Sequence, residues 1–179
     1  GDAAAKTPIT PSLMTMADLA NYKAKEREPV CTTYRSSYYV CSMSPPSSGG
    51  IAITQALGIL ENFNLSAHGP TNPTNEGGIP SVMGVHLVSE ASRLAYADRD
   101  MYVADTDFVP LPGKGVSSML DKTYLKSRAA LISPDKSMGI ATAGTFAAAP
   151  SNAVDKTIEN GTTHFSIVDT YGNVVSMTT

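Results

Sequence analysis

Apolar side chains recur every three or four positions in two stretches of the chain. This spacing places them on one face of a helix and predicts helices over residues 51–63 and 81–103. The expected buried faces are Ile53, Ala56, Leu57 and Leu60 in the first helix and Met83, Leu87, Ala91 and Leu94 in the second. His86 shares the second face, where we expect a packing histidine whose hydrogen bonds are satisfied.

Capping residues predict two shorter helices. Thr15 and Asp18 resemble a capping box, which indicates a helix over residues 16–25. Asp121 is a candidate N-cap for a helix over residues 122–132. The residues expected to face inward in that helix are Leu125, Ala129 and Ile132.

Runs rich in β-branched and aromatic residues predict two hairpins. The first pairs residues 30–35 with residues 38–43. The second pairs a strand that begins at Thr162 with a strand over residues 174–179, and residues 169–173 form its turn. The first strand of this second hairpin would present Thr163, Phe165 and Ile167 on one face and Thr162, His164, Ser166 and Val168 on the other.

Cys31 and Cys41 lie in the first hairpin, and their relation depends on the turn. A two-residue turn would place Thr32 opposite Cys41. A three-residue turn over residues 35–37 would place the cysteines opposite each other and permit a disulfide. Two buried free thiols are the favoured interpretation. Two cysteines without partner ligands do not make a zinc site, and no metal or cofactor is expected.

Two loops have a composition with functional meaning. Pro45, Pro46, Ser47, Ser48, Gly49 and Gly50 lead into the first long helix. A helix entry capped by serine is favoured there, and the alternative is an anion site made by exposed helix amides. Residues 133–161 are rich in Ala, Ser, Thr and Pro without clear periodicity. A stretch of this length is usually functional or disordered, so we expect a flexible segment.

Composition excludes several classes of protein. The chain has 179 residues and a net charge of −3, from 13 basic and 16 acidic side chains. This balance gives no reason to expect binding to nucleic acid or to an anionic membrane. No apolar run approaches the roughly 20 residues that span a bilayer. The first residues lack the apolar region of a secretory signal, which does not decide the location if the chain is a fragment.

Thr162 follows Gly161 and has a specific chemical possibility. Cleavage of the bond between them would give Thr162 a free α-amine beside its own hydroxyl. An α-amine has a pKa of about 8, so it can act as a base at neutral pH and activate the hydroxyl as a nucleophile. On the residues alone, Asn160 and Gly161 before a threonine-rich strand are more typical of an ordinary turn.

Three stretches resemble the γ-glutamyltranspeptidase family. Residues 162–169 with residues 172–176 are similar to the start of its small subunit. Residues 45–51 and residues 93–99 are similar to stretches of its large subunit, and the matches follow the family's order. The resemblance implies that residues 1–161 are the C-terminal part of a large subunit, with residues 133–161 as the flexible segment before the cleavage site. Residues 162–179 would then begin the small subunit.

The resemblance also implies a fold and a chemistry. The fold class expected is α+β, as part of the four-layer αββα sandwich of N-terminal-nucleophile hydrolases. Autocleavage between Gly161 and Thr162 would free Thr162 as the catalytic nucleophile. The expected partners are glutathione and other γ-glutamyl amides, amino-acid or peptide acceptors, and the missing remainder of both subunits. The isolated fragment is expected to be inactive, and the whole protein to be periplasmic or secreted.

Substrate-binding residues are not assigned. Arg99 is a candidate ligand for a substrate carboxylate, but charges of both signs on neighbouring turns favour an ion-pair network that pins the helix. The family's glutamyl-binding arginine would lie upstream of this chain. Its second catalytic threonine would fall just past Thr179, so neither Thr178 nor Thr179 is given that role. Alternatives are a related acylase that cleaves a glutaryl β-lactam side chain, and a non-catalytic structural or binding homologue.

Overall fold

The computed structural model describes residues 13–74, 77–147 and 162–178. These residues form helices and short antiparallel hairpins. The helices are α1 (Met16–Asn21), α2 (Gly49–Leu60), α3 (Val82–Tyr102), α4 (Val116–Met119) and α5 (Lys122–Ala129), with a 3₁₀ helix at Leu65–His68. The strands are β1 (Val30–Tyr34), β2 (Tyr38–Ser42), β3 (Thr71–Thr74), β4 (Gly77–Ile79), β5 (His164–Val168) and β6 (Val174–Thr178). Among the described residues, each sheet has two strands: β1–β2, β3–β4 and β5–β6.

The packing of α2, α3 and α5 forms the main core. The predicted inward faces of α3 and α5 are confirmed, because their apolar residues meet in one cluster. Its buried members are Ile59, Leu60, Leu87, Ala91, Leu94, Leu125, Ala129 and Ile132. A second cluster joins Val30, Ile51, Tyr102 and Met119, and thereby connects the first hairpin to the helices. The apolar period of α3 thus correctly predicted its residues in the main core.

The predicted buried face of α2 is wrong at Ile53 and confirmed at Leu60. Ile53 is 51% exposed, whereas Ile51, Thr54 and Gln55 are buried. Gly58 is buried against α5, and a Cβ at this position would lie only 2.4 Å from a methyl group of Leu125. Gly58 thus allows Leu125 of α5 to approach α2 closely, beside the aliphatic contacts of Ile59 and Leu60.

The N-termini of the helices follow the capping prediction at two positions. Thr15 and Asp18 form the expected capping box, although α1 ends at Asn21 and is shorter than predicted. The side chain of Asp121 accepts a hydrogen bond from the amide of Tyr124 at 2.9 Å. Ser48 does not cap α2, which corrects the expectation for that helix entry. Its hydroxyl instead accepts a hydrogen bond from Nε of Arg99 at 3.0 Å.

The first hairpin contains a disulfide, so the favoured prediction of free thiols is wrong. Cys31 lies directly opposite Cys41, and the two sulfur atoms are bonded. The register follows from a three-residue turn in which Arg35 and Ser36 have positive φ angles of 50° and 56°. Contacts with the end of α2 hold this turn, because the Arg35 amide donates to the Glu61 carboxylate at 2.6 Å. The Arg35 guanidinium donates to the carbonyl oxygen of Phe63 at 3.0 Å.

The second predicted hairpin is confirmed as β5–β6. His164 lies opposite Thr178, and Val168 lies opposite Val174. Asp169 holds the turn: its carboxylate accepts hydrogen bonds from the amides of Tyr171 at 2.8 Å and Asn173 at 2.9 Å. The polar stretch after α2 contains the 3₁₀ helix and the β3–β4 hairpin. No apolar pattern marks those short strands, whose residues are exposed.

Candidate active site

Thr162 lies at the entrance to β5, two positions before His164, and is exposed. The fold therefore presents this threonine at the surface, just before a regular strand. Gly161 lies outside the described residues, and so does the geometry of the bond between Gly161 and Thr162. The autocleavage prediction consequently rests on the position of Thr162 and on the chemistry of the pair.

The face of β5 that was expected to carry Thr162 and His164 holds a small polar cluster. Nδ1 of His164 lies 2.8 Å from the Thr178 hydroxyl, across the hairpin. Nε2 of His164 lies 3.1 Å from the Ser166 hydroxyl and 3.3 Å from the Ser176 hydroxyl. The imidazole therefore links β5 to β6 just beyond Thr162.

A cleft of about 870 Å³ separates the β5–β6 hairpin from the body of the chain. His164, Ser176 and Thr178 line it on the hairpin side. Met43, Ser47 and Ile53 line it on the side of β2 and α2, which explains why Ile53 is exposed. The Ser47 loop singled out in the sequence thus lies across this cleft from the hairpin that follows Thr162.

Arg27 contributes a cation to the same cleft. Its guanidinium is 2.7 Å from the carboxylate of Asp107 and 3.8 Å from that of Asp105. Lys25 also donates to Asp107, at 2.6 Å. Hydrogen bonds from Lys25 and then Arg27 lower the pKa of the Asp107 carboxyl below its ordinary value. The charge of Arg27 is therefore matched by carboxylates of the loop after α3, and it holds that loop beside the cleft.

Arg99 and His86 have structural partners. Arg99 bonds the Ser48 hydroxyl and pairs with the Asp100 carboxylate at 2.8 Å, which joins the end of α3 to the start of α2. Nε2 of His86 lies 2.8 Å from the carbonyl oxygen of Ser133, so this histidine is satisfied as expected.

Sequence reasoning missed a buried carboxylate at Asp98, which is only 1% exposed. It pairs with Arg128 at 3.2 Å and accepts hydrogen bonds from Gln55 at 3.1 Å and from the phenol of Tyr124. Burial first, and then the hydrogen bond to Asp98, raise the pKa of the Tyr124 phenol well above its ordinary value, so it remains a donor. A signal was present: position 98 continues the series of Leu87, Ala91 and Leu94 on the buried face of α3.

Residues 13–74, 77–147 and 162–178 contain neither a metal-binding cluster nor a membrane-spanning helix. No group of three or more His, Cys, Asp or Glu side chains there is arranged to hold a metal ion. Among the same residues, every helix is too short or too polar to cross a bilayer.

Known proteins of similar sequence include two kinds of proenzyme. The chain is 40% identical over 166 residues to the glutathione hydrolase proenzyme of Escherichia coli K12, covering 93% of this chain and 25% of that protein. It is 37% identical over 166 residues to the acylase ACY 1 proenzyme of Pseudomonas sp. SE83, covering 93% of this chain and 26% of that protein. The chain therefore spans about a quarter of the length of the curated relatives it matches.

The structure also resembles a solved relative. The crystal structure of Helicobacter pylori gamma-glutamyltranspeptidase aligns with a TM-score of 0.61 at 39% identity, over 73% of this chain and 34% of that one. The family model for gamma-glutamyltranspeptidase matches residues 3–179. The chain that presents Thr162 at the entrance to β5 belongs to the gamma-glutamyltranspeptidase family of enzymes.

Proposed function

We propose that the full-length protein hydrolyses and transfers the γ-glutamyl group of glutathione and similar amides, with Thr162 as its nucleophile. The observation that carries the proposal is the exposed position of Thr162 directly after Gly161 and just before β5. Relatives named glutathione hydrolase proenzyme support the substrate class and a maturation step.

Maturation is the first step. The Thr162 hydroxyl attacks the carbonyl carbon of Gly161, and the peptide bond becomes an ester between Gly161 and the Thr162 oxygen. Water then hydrolyses this ester, which leaves a carboxylate on Gly161 and a free α-amine on Thr162. Glycine suits this position because it has no side chain to shield its carbonyl from attack. Residues 1–161 then belong to the large subunit, and residues 162–179 begin the small subunit.

Catalysis uses the new amine. With a pKa of about 8, the α-amine of Thr162 takes the hydroxyl proton directly or through a water molecule. The hydroxyl oxygen attacks the γ-amide carbonyl, the leaving amine takes up a proton, and a γ-glutamyl ester on Thr162 remains. Water or the amine of an amino acid or peptide then accepts the glutamyl group. The donors that stabilise each oxyanion come from parts of the protein beyond this chain.

The whole protein is proposed to form the αββα sandwich. The β5–β6 hairpin supports this proposal, because one of its faces carries apolar side chains that remain partly open: Phe165 is 40% exposed and Ile167 is 56% exposed. Further strands and a helical layer would cover such a face. The disulfide between Cys31 and Cys41 supports a periplasmic or secreted location, since disulfides persist in oxidising compartments.

An acylase is the second candidate function. Acylase proenzymes 37% identical to the chain favour it, and the described residues contain nothing that separates the two substrate classes. Comparing the turnover of a γ-glutamyl anilide with that of a glutaryl amide by the full-length protein separates them. Preference for the γ-glutamyl compound is expected, and preference for the glutaryl compound would assign the protein to the acylases.

Replacement of Thr162 tests the nucleophile. The full-length Thr162→Ala precursor is expected to remain one chain and to show no turnover of a γ-glutamyl anilide. Thr170→Ala is the matched control, because Thr170 is an exposed threonine in the turn between β5 and β6. It should mature and turn over substrate like the wild-type protein. Maturation or turnover by Thr162→Ala would overturn the assignment, and a wild type that does neither would indicate a non-catalytic homologue.

A further inference from the structure

The stretch after α5 contacts α3 along much of its length although it contains neither helix nor strand. Residues 137–146 follow α3 in the same direction, from Glu90 towards Tyr102. Glu90, Asp98 and Tyr102 are all buried residues of α3. We call these three residues the α3 track. Each of them bonds the backbone of the stretch.

Glu90 holds the beginning of the stretch. Its side chain is 1% exposed, and its carboxylate accepts hydrogen bonds from the Met138 amide at 2.8 Å and the Ser137 hydroxyl at 2.7 Å. Burial alone would raise the pKa of Glu90, but these hydrogen bonds and the nearby His86 and Arg93 outweigh it and lower the pKa below its ordinary value. Glu90 is therefore an ionised carboxylate whose closest partners belong to the stretch.

Asp98 and Tyr102 hold its end. The Asp98 carboxylate accepts a hydrogen bond from the Gly144 amide at 2.8 Å, and the Tyr102 hydroxyl donates to the Gly144 carbonyl at 2.6 Å. Gly144 has no room for a side chain, since a Cβ would lie 2.1 Å from the hydroxyl of Tyr124. The ring of Phe146 packs edge-on against Tyr102, with ring centroids 5.2 Å apart. The backbone at Gly144 is thus held in one place.

The hydrogen bonds from the α3 track hold residues 137–146 against α3 at defined positions. Release of the stretch would remove a backbone donor from each of the buried carboxylates of Glu90 and Asp98, and the loss of these hydrogen bonds opposes release. Bonds to backbone groups also fix the register of the stretch without depending on its side chains. The α3 track therefore holds the stretch in place as far as Phe146, upstream of the proposed cleavage site in the sequence.

We propose that Glu90 and Asp98 are positioning residues for self-cleavage before Thr162. The proposal rests on the proposed function. The α3 track fixes the upstream end of the chain that leads to Gly161, and β5 fixes the downstream end. Fixing both ends reduces the number of conformations open to the Gly161 carbonyl and increases the fraction in which the Thr162 hydroxyl can attack it. The large-subunit helices thereby act on maturation although they do not touch the reacting atoms.

The test compares maturation rates of full-length precursors. Glu90→Gln changes a member of the α3 track, and Gly144→Ala changes a residue that the track binds; we call both of them track variants. Glu61→Gln is the control, because Glu61 also bonds a backbone amide, that of Arg35, and an α5 lysine, but it does not contact residues 137–146. The measurements are the first-order rate of appearance of the two subunits, the thermal midpoint, and kcat and KM of the matured enzyme.

The expected result is slowing of maturation by at least tenfold in both track variants, while kcat and KM after complete maturation stay within twofold of wild type. Glu61→Gln should lower the thermal midpoint yet mature within twofold of the wild-type rate. If a track variant fails to fold, Ser137→Ala, which removes one hydroxyl donor to Glu90, should still slow maturation two- to fivefold.

Two outcomes would overturn the proposal. Track variants that mature at the wild-type rate would show that docking of residues 137–146 has no role in cleavage. If maturation slows in Glu61→Gln as much as in the track variants, for the same fall in thermal midpoint, the track contributes only to general stability. Both outcomes leave the proposed function intact, whereas a wild-type precursor that never splits would remove that function and this proposal together.

Discussion

Gly50 stands where the start of α2 meets the end of β2. A Cβ at this position would lie 2.1 Å from the carbonyl oxygen of Met43 and 2.9 Å from its carbonyl carbon. Both atoms belong to the backbone, so they cannot move aside as a flexible side chain would. This contact keeps α2 against the strand that borders the cleft facing the β5–β6 hairpin.

Gly50→Ala is therefore expected to destabilise the full-length protein by about 1–3 kcal/mol, as overpacking of a close contact does. Gly49→Ala is the neighbouring control, because a Cβ there would meet only the Ser47 hydroxyl, at 3.8 Å. Its effect should stay within about 0.5 kcal/mol of zero, or be slightly stabilising through helix propensity. Urea unfolding measures both, and equal effects would contradict the packing account.

Glu90 gives a prediction for pH. Its pKa is lower in the folded chain than its ordinary value of 4.5, so its ionisation favours the folded state. That stabilisation is complete above the ordinary pKa and is lost as the pH falls from there through the lowered folded value. Glu90→Gln should be less stable than wild type near pH 7, and the difference should shrink below about pH 4.5.

Thermal midpoints of the full-length wild type and Glu90→Gln across pH 3 to 7 would measure this effect, as pKa shifts are stability differences. A difference between the two proteins that does not change with pH would contradict the account. It would mean that Glu90 contributes through packing and not through its ionised carboxylate.

Some residue roles could be read from the sequence, and others depended on contacts distant in the chain. The caps at Thr15 and Asp121 were predictable because a cap bonds an amide three positions away. Ser48 has the residue type of a cap but bonds Arg99 instead, and that partner is 51 positions away. Asp98 lies next to Arg99 in the sequence, whereas its ionic partner is Arg128 on another helix.

At the scale of elements, the disulfide is the covalent constraint of the first hairpin. Replacing Cys31 and Cys41 together by serine is expected to cost about 2–4 kcal/mol, towards the lower end because the closed loop is short. Thermal unfolding with and without a thiol reductant is the measurement. Reductant should lower the midpoint of the wild-type protein and leave the double variant unchanged. A reductant effect of equal size in both proteins would contradict this assignment.

Elements with a strong local pattern were predictable, and those set by neighbours were not. Helix α3 was found with nearly correct ends, because its apolar period extends over several turns. The buried face of α2 was predicted only in part, because Gly50 and Gly58 allow β2 and α5 to approach closely and an apolar period does not mark such positions. The register of the first hairpin was left open, since Glu61 at the end of α2 stabilises the three-residue turn.

At the scale of the whole molecule, the chain divides into a helical body and a separate hairpin. The body is held by the packing of α2, α3 and α5 and by the buried Asp98 network. The β5–β6 hairpin lies across a cleft from it and begins just after Thr162. The boundary between the subunits at Gly161 and Thr162 stays a prediction, made from the resemblance in sequence.

The intact mass of the full-length precursor, measured directly after purification and again after incubation, tests the central claim. The account predicts that the single mass is replaced by two masses whose sum exceeds it by one water and whose boundary lies between Gly161 and Thr162. A protein that is folded by circular dichroism but persists as one chain would contradict the claim, as would cleavage at any other bond.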